Sequence, residues 1–315
     1  MAERIQIREV GPRDGLQLVA TILTATQKLE WCRRARDAGI EEVEVTSFVP
    51  PSVIAQFADA AEVARGAVAL GGFVASALVP NLKGAHRAID AGIQKVNYVL
   101  SASEAHNMAN VRRTTQQSLD DFRAIIDYRD SVAKGRVHIA GGIATSFGCA
   151  ISGSVDESRV LNIAAQYLEM GADELIVADT VGYGNPAQVR RLMSVILKEA
   201  GTVPVACHFH DTFGLGLANV AAALEAGVRA FDSSIGGLGG CPFAPGASGN
   251  IDTEDTVYLV AALGFETGID IEALVALRRD IERWLPGERF AGAVAKAGLP
   301  KTFTNRAAPA REYGE

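Results

Sequence analysis

The chain has 315 residues, of which 48% are hydrophobic and 21% charged, enough to bury one large core in a single domain. Its net charge of −7 argues against a nucleic-acid partner, because neutralising phosphates requires a basic surface. No window offers about 18 uninterrupted apolar residues, so we expect no membrane insertion. The four cysteines form no C-x-x-C pair, which predicts free thiols in a reducing cytoplasm.

Eight β-rich runs alternate with segments of helical apolar spacing. The predicted strands are IQIREVG from Ile5, EEVEVTSF from Glu41, GGFVASALVP from Gly71, KVNYVLSAS from Lys95, RVHIAGGIATS from Arg136, ELIVADTVG from Glu174, VPVACHFHD from Val203 and AFDSSIGGLG from Ala230. The clearest predicted helices are TQKLEWCRRARDAG, LDDFRAIIDYRDSVA, DESRVLNIAAQYLEMG and PAQVRRLMSVILKEAG. Several of them end in glycine, as helix C-termini commonly do.

About eight such βα units without a long linker predict a single (β/α)8 TIM barrel, which we place at residues 1–266. A doubly wound sheet is the alternative, although no G-x-G-x-x-G follows the first strand. The amphipathic segment IDIEALVALRRDIERWL comes after the eighth unit. We therefore expect residues 267–315 to form a helical extension packed on the barrel.

Polar residues gather where the predicted strands end, which is where TIM barrels carry their chemistry. Arg13 and Asp14 follow strand one, Glu44 and Ser47 end strand two, Asp179 ends strand six, and His208 and His210 end strand seven. Side chains alternate along a strand, so both imidazoles point the same way while the phenylalanine between them points the other. Two imidazoles on one face favour a metal site. The competing interpretation is a pair of hydrogen-bonded polar residues at a strand terminus.

Six motifs resemble those of the hydroxymethylglutaryl-CoA lyases, which belong to the metallolyase TIM-barrel superfamily. They are EVGPRDGLQ (9–17), VEVTSFV (43–49), VPNLKG (79–84), ADTVGYGNP (178–186), HFHDTFGLGLAN (208–219) and GGLGGCPFAPGASGNIDTEDTVYL (236–259). The motifs span most of the chain, and the RDGLQ and GGLGGCPFA forms favour the lyases over the related synthases. The resemblance implies a cytoplasmic enzyme of leucine degradation.

The resemblance also implies a divalent metal held by Asp14, His208, His210 and Asn250. Two imidazoles, one carboxylate and one amide oxygen suit Mg²⁺ or Mn²⁺, and the imidazoles favour Mn²⁺. Zn²⁺ would also bind such a donor set, so the sequence leaves the ion open.

The implied reaction breaks a carbon–carbon bond in a 3-hydroxyacyl-CoA, most simply 3-hydroxy-3-methylglutaryl-CoA, and releases acetyl-CoA and a keto acid. By analogy with the family, the base is Asp14 or His208, and the choice stays open. Arg13 is expected to oppose negative charge on the thioester oxygen, since a permanent cation stabilises an enolate more than a carbonyl. Cys241, in a glycine-rich loop, is expected to exchange the proton at the enolate carbon.

The remaining predicted site residues assist binding. Glu44 and Asp179 are expected to orient Arg13, the metal ligands or the substrate, because such groups need fixed partners. Gln17 and Ser47 are predicted polar contacts to the acyl chain. The candidate contacts to the CoA phosphates are Lys83 and the pair Arg112–Arg113.

Two loops depart from the family pattern, namely FGCAISG after strand five and SASEAHNMANVRRT after strand four. They would shape the acyl pocket, so citramalyl-CoA or a longer branched 3-hydroxyglutaryl-CoA are alternative substrates. A barrel that binds metal or acyl-CoA without turnover is a further alternative, although every expected site residue is present. The family commonly forms dimers or larger assemblies, so we expect a homo-oligomer.

Overall fold

A closed barrel of eight parallel strands forms the centre of the molecule, and the last strand pairs with the first. The computed structural model describes residues 2–240 and 249–303. The strands are β1 (Gln6–Glu9), β2 (Glu42–Ser47), β3 (Val74–Val79), β4 (Lys95–Ser101), β5 (His138–Ala144), β6 (Glu174–Asp179), β7 (Val205–Phe209) and β8 (Ala230–Ser233). All eight predicted strands are confirmed. Closure excludes the doubly wound alternative, whose sheet would have two open edges.

Helices surround the barrel and cover the outer faces of the strands. They are α1 (Ala25–Asp37), α2 (Ala60–Leu70), α3 (Leu82–Asp90), α4 (Glu104–Val111), α5 (Thr115–Val132), α6 (Glu157–Met170), α7 (Pro186–Ala200), α8 (Gly216–Ala226), α9 (Thr253–Ala262), α10 (Ile271–Trp284) and α11 (Val294–Ala297). Short 3-10 helices lie at Gly15–Leu18, Ala55–Phe57 and Ile235–Gly237. In the described part of the chain, no helix is long and apolar enough to cross a membrane.

Local sequence explains where several helices begin. Thr24 starts α1 with a capping box, in which its hydroxyl accepts the N–H of Gln27 and the Gln27 side chain accepts the N–H of Thr24. Asn185 caps α7 through the N–H of Gln188, and Pro186 occupies the first helical turn, where a missing N–H carries no penalty. These signals fix where the βα loops before α1 and α7 end, and because the strands are parallel, all βα loops lie at one end of the barrel.

The C-terminal extension packs on the barrel through α10, which lies against α1 and α9. The backbone N–H of Asp270 donates to the carbonyl of Ala38 at 2.8 Å, and Arg34 forms an ion pair with Asp280. The predicted domain boundary at residue 266 stays a prediction. Residues 304–315 of the predicted extension lie outside the described residues.

Arg278 of α10 reaches two buried carboxylates at the start of α9. Its Nη1 lies 3.3 Å from Asp252 Oδ2 and 3.5 Å from Glu254 Oε1. Burial raises the pKa of Asp252 and that of Glu254, the Glu254 charge contributes to the rise at Asp252, and Arg278 opposes both shifts. The Arg278 guanidinium therefore stabilises the ionised forms of two acids whose negative charge the protein interior disfavours.

Candidate active site

The turn after β1 presents Arg13 and Asp14 at the mouth of the barrel. The carbonyl of Val10 accepts the backbone N–H of Arg13 at 3.1 Å and that of Asp14 at 2.7 Å, which folds the chain over the end of the strand. Glycine is required at position 11, because a Cβ there would lie 2.3 Å from Glu9 Oε1. The side chains of Arg13 and Asp14 are nearly buried, at 13% and 12% exposed.

His208 and His210 point into the barrel beside Asp14, as strand alternation predicts. β7 ends at Phe209, and His210 continues as an isolated bridge. The two imidazole Nε2 atoms are 3.2 Å apart, and Asp14 Oδ2 lies 3.7 Å from Nε2 of His210 and 4.0 Å from Nε2 of His208. One ligand atom from each of the three residues lies within 4.8 Å of the others, a spacing that one cation can bridge.

Asn250 joins this cluster from a distant part of the sequence. Its segment runs beside the end of β7, where the N–H of Ile251 donates to the carbonyl of Phe209 at 3.1 Å and Asn250 bridges His210. Asn250 Nδ2 then donates to Asp14 Oδ2 at 2.8 Å. All four predicted metal ligands therefore lie together.

The donor set fits a divalent cation. Asn250 Oδ1 is buried and has no hydrogen-bond partner among the described residues. Two imidazole nitrogens 3.2 Å apart and one carboxylate oxygen converge, and this mixed set of nitrogen and oxygen donors suits a divalent cation. The amide presently faces Asp14 with Nδ2, so a 180° rotation would bring its oxygen to the cation.

Charges around Arg13 set the electrostatics of the site. Burial alone would raise the pKa of Asp14, but the Arg13 guanidinium, 2.5 Å away, and the two imidazoles hold that pKa well below its usual range. Arg13 Nε lies 3.6 Å from Glu44 Oε2, and Asn97 Nδ2 donates to the other Glu44 oxygen at 2.9 Å. Burial raises the pKa of Glu44, and Arg13 opposes that shift. The Asp14 carboxylate is thus strongly favoured in its ionised form, whereas the neighbouring Glu44 carboxyl takes up a proton more readily.

Asp179 sits at the end of β6 and shapes the following turn. Its two oxygens accept the backbone N–H groups of Tyr183 and Gly184, each at 2.9 Å. Burial raises its pKa, while the hydrogen bond from Gly184 and the nearby His210 lower it. The side chain is fully buried, so it braces the loop beside the histidines rather than lining the open cavity.

A cavity of about 340 Å³ opens above the cluster, within the size range of small-molecule sites. Its polar floor includes Asp14 and both histidines. One wall is apolar and contains Val49, Val53, Ile54 and Leu78. The arrangement joins a charged reaction centre to an apolar channel, as a site for an acyl chain requires.

The predicted substrate contacts are distributed unevenly around this cavity. Gln17 lines it, as does Arg113, which also forms an ion pair with Asp121 at 2.6 Å. Ser47 is buried away from the cavity, and its hydroxyl accepts the N–H of Val49. Lys83 is exposed on α3 and does not line the cavity. Cys241 lies outside the described residues.

The two loops that depart from the family pattern touch each other. The hydroxyls of Ser103 and Ser152 are 3.0 Å apart. Cys149 makes an antiparallel bridge with Gly153, and its sulfur accepts the N–H of Ile151 at 3.3 Å. The segments after β4 and β5 that differ from the family motifs therefore pack against each other beside the barrel mouth.

Sequence reasoning did not identify two residues that contact predicted site groups. Asp232 Oδ2 lies 3.3 Å from His208 Nδ1, and Asn97 Nδ2 donates a hydrogen bond to Glu44. Each is a polar residue within a buried strand, and a polar residue at such a position is the sequence feature that could have marked it as part of the site. Their partners could not be assigned, because barrel register is not encoded locally.

Comparison with known proteins identifies the family. The model of the HMGL-like family matches residues 4–281. The chain belongs to the HMGL-like family. A hydroxymethylglutaryl-CoA lyase from Bacillus subtilis is 37% identical over 280 residues, covering 89% of this chain and 93% of that protein. A 3-hydroxy-3-isohexenylglutaryl-CoA/hydroxymethylglutaryl-CoA lyase from Pseudomonas aeruginosa is 37% identical over 301 residues, covering 96% and 99%.

A solved structure agrees with this assignment. The HMG-CoA lyase from Acinetobacter baumannii, in complex with coenzyme A and 3-methylmalate, superposes with a TM-score of 0.90 at 40% identity. The match covers 96% of this chain and 97% of that one. This HMGL-like chain is therefore a carbon–carbon lyase with a TIM-barrel fold, as its motifs predict.

Proposed function

We propose that this HMGL-like chain cleaves 3-hydroxy-3-methylglutaryl-CoA to acetyl-CoA and acetoacetate with a divalent cation, Mg²⁺ or Mn²⁺. The observation that carries the proposal is the convergence of Asp14, His208 and His210 at the floor of a cavity that Arg13 also lines. The names of the Bacillus and Pseudomonas relatives support the substrate.

Asp14, His208, His210 and Asn250 would hold the cation. A cation bound there supplies Lewis-acid character, which lowers the free energy of a deprotonated C3 hydroxyl and orients the substrate. The protein's own contribution is to hold these four side chains in place and to keep Asp14 ionised.

Asp14 or His208 removes the proton from the C3 hydroxyl. Burial lowers the pKa of His208, but Asp232 and Asp14 outweigh burial, so the net shift is upward. The pKa of Asp14 is held low, which makes it the weaker base. Both alternatives stay open at this point, although a His208 that held the cation through Nε2 while Nδ1 donated to Asp232 would leave the role to Asp14.

Arg13 stabilises the negative charge that forms on the thioester. As the C2–C3 bond breaks, C3 becomes a ketone and the bonding electrons form the enolate of acetyl-CoA. Arg13 lines the cavity and its side chain is 13% exposed, so the guanidinium is available to the thioester oxygen. A guanidinium remains charged throughout and favours the enolate over the neutral carbonyl.

The enolate then takes a proton at C2, and we assign its delivery to the Cys241 thiol. We further assign Glu44 to the orientation of Arg13, since the two lie 3.6 Å apart, and Asp179 to the support of His210. Gln17, which lines the cavity, is proposed to position the acyl chain. Ser47 is buried away from the cavity, so the predicted contact of its side chain with the acyl chain is not proposed further. Lys83, exposed on α3, would contact only the part of CoA that extends beyond the barrel mouth.

The experiment incubates purified protein with Mn²⁺ and 3-hydroxy-3-methylglutaryl-CoA or citramalyl-CoA, and measures acetyl-CoA and the keto acid by mass spectrometry. We expect cleavage of the first compound and at least a 100-fold lower rate for His208→Ala. His86→Ala is the matched control, because that imidazole stacks on Tyr128, outside the cavity. Equal rates for both variants would contradict the proposal.

A second candidate is a 3-hydroxyglutaryl-CoA with a longer branch at C3. The apolar wall formed by Val49, Val53, Ile54 and Leu78 favours it, and so does the Pseudomonas relative, whose name includes an isohexenyl substrate. Comparing kcat/KM for methyl and longer C3 substituents distinguishes the two. The homo-oligomeric state, the cytoplasmic location and a role in leucine degradation stay predictions.

A further inference from the structure

A group of charged side chains lies inside the barrel beneath the candidate active site. TIM-barrel interiors are usually filled by branched apolar residues. Here five charged residues point inward and are at most 9% exposed in their side chains, namely Arg8, Glu42, Lys95, Glu174 and Asp232. Burying so many charges is unfavourable unless they are paired, so their arrangement calls for a physical explanation.

Four of the five form a closed ring of ion pairs. Lys95 Nζ lies 2.8 Å from Glu42 Oε1 and 2.5 Å from Glu174 Oε2. Arg8 Nε lies 3.3 Å from the other oxygen of Glu42, and Arg8 also hydrogen-bonds Glu174. Two cations and two carboxylates cancel, so the ring is electrically neutral. Asp232 is the remaining carboxylate.

Asp232 lies between this ring and His208. The register of the barrel pairs Asp232 of β8 with His208 of β7 on one side and with Arg8 of β1 on the other. Asp232 Oδ2 is 3.3 Å from His208 Nδ1, and Oδ1 is 3.8 Å from Arg8 Nη1. The carboxylate therefore contacts the imidazole with one oxygen while the guanidinium holds the other.

This contact determines which nitrogen of His208 carries hydrogen. An ionised carboxylate only accepts hydrogen bonds, so Nδ1 must be the donor, and in the neutral imidazole Nε2 keeps its lone pair. That lone pair lies on the side of the ring facing His210 Nε2, 3.2 Å away, and Asp14 Oδ2, 4.0 Å away. It is thus directed to the point where the ligand atoms converge.

We propose that Asp232 is a positioning residue that fixes the tautomer and ring orientation of His208 for metal binding, with Arg8 beside its other oxygen. The inference rests on the metal site of the proposed function. Carboxylates that accept the second N–H of a metal-ligating histidine typically change metal affinity 10- to 100-fold when replaced.

The test measures Mn²⁺ affinity of the full chain, without substrate, by calorimetry after removal of bound metal. Asp232→Asn retains the shape of the side chain, but its amide both donates and accepts, so it no longer imposes one tautomer. We expect the Kd for Mn²⁺ to rise about 10- to 100-fold. Nitrogen-15 NMR of the histidines should show protonated Nδ1 for His208 in the metal-free wild type and a mixture of tautomers in the variant.

Glu174→Gln is the matched control, because it removes one buried negative charge from the barrel interior, as Asp232→Asn does, but Glu174 contacts Arg8 and Lys95 rather than His208. We expect a lower melting temperature for this variant but less than about a threefold change in Mn²⁺ affinity. Equal weakening in both variants would overturn the inference, because it would show a general effect of buried charge. Wild-type affinity in Asp232→Asn would overturn it as well, whereas a wild type that binds no metal would instead refute the proposed function.

The wild-type NMR measurement keeps the proposal testable if Asp232→Asn does not fold. A metal-free wild type whose His208 carries its hydrogen on Nε2 would contradict the proposed contact directly. Protonated Nδ1 together with unprotonated Nε2, measured at a pH where the imidazole is neutral, supports it.

Discussion

Replacing Glu9 with glutamine should remove a large part of the pH dependence of stability. Glu9 ends β1 and is completely buried. Its Oε1 accepts the backbone N–H groups of Gly11 at 2.9 Å and Ile235 at 3.1 Å, and its Oε2 accepts the hydroxyl of Thr253 at 2.8 Å. The carboxyl thereby connects the turn that carries Arg13 to the loop after β8 and the start of α9.

The size and sign of the effect follow from the pKa of Glu9. Burial raises that pKa from 4.5 to about 8, against the opposing effect of its three hydrogen bonds. The folded state therefore retains a proton that the unfolded state loses above pH 4.5. This contribution to stability is complete below pH 4.5 and disappears as pH rises through about 8. At about 1.4 kcal/mol per pH unit, the wild type should lose about 3 to 4 kcal/mol between pH 5 and pH 8 through this group.

Glutamine reproduces the protonated carboxyl. Its oxygen can accept from Gly11 and Ile235, while its amide donates to the Thr253 hydroxyl, which in turn reaches Ser233 Oγ at 2.9 Å. We expect Glu9→Gln to match the wild type near pH 5 and to exceed its unfolding free energy by about 3 kcal/mol at pH 8. Urea denaturation followed by circular dichroism at both pH values measures the difference. Other buried acids titrate in both proteins, so parallel pH profiles would refute the reasoning.

Three further perturbations test other parts of the structure. Arg13→Lys should lower kcat on the order of 100-fold with a much smaller change in KM, because the compact ammonium group of lysine replaces the several N–H donors of a planar guanidinium. An unchanged kcat in steady-state assays would exclude a role of Arg13 in enolate stabilisation. Arg278→Met should lower the unfolding free energy by about 3 kcal/mol at pH 8, where the Asp252–Glu254 pair carries negative charge and loses its cation, but by less at pH 5, where the raised pKa values of the pair favour the neutral acids. The same loss in chemical denaturation at both pH values would contradict this. Gly249→Ala would place a Cβ 2.1 Å from the backbone carbonyl oxygen of Gly237 and displace the segment that follows, which carries Asn250. We expect at least a tenfold loss of Mn²⁺ affinity and a native circular dichroism spectrum. A Kd for Mn²⁺ equal to that of the wild type, measured by calorimetry, would disprove this prediction.

Local pattern was sufficient to predict the barrel and part of the site. Each strand is a short apolar run between turn signals, and a period of two directs His208 and His210 to the same face. Asp14 was placed at the same rim because it follows a strand, whereas its place with the histidines in a metal site was implied by the resemblance to the lyase family. The placements on one face and one rim need only the alternation of a strand and the closure of a parallel sheet.

Other contacts depend on register and loop path, which short segments do not specify. Asn250 reaches His210 only because its segment forms a bridge at the end of β7. The partners of Asp232 on β7 and β1 follow from the stagger of the closed barrel. A chain read one segment at a time shows these polar residues but not which of them meet.

The most direct test of the account is metal reconstitution. Chelator-treated protein would be titrated with Mn²⁺ in the presence of 3-hydroxy-3-methylglutaryl-CoA while acetyl-CoA release is measured. We expect no activity without metal, full recovery at one equivalent per chain, and no recovery for Asp14→Asn, which lacks the ionised ligand. Full activity of the metal-free protein, or recovery in Asp14→Asn equal to the wild type, would contradict a reaction centred on Asp14, His208 and His210.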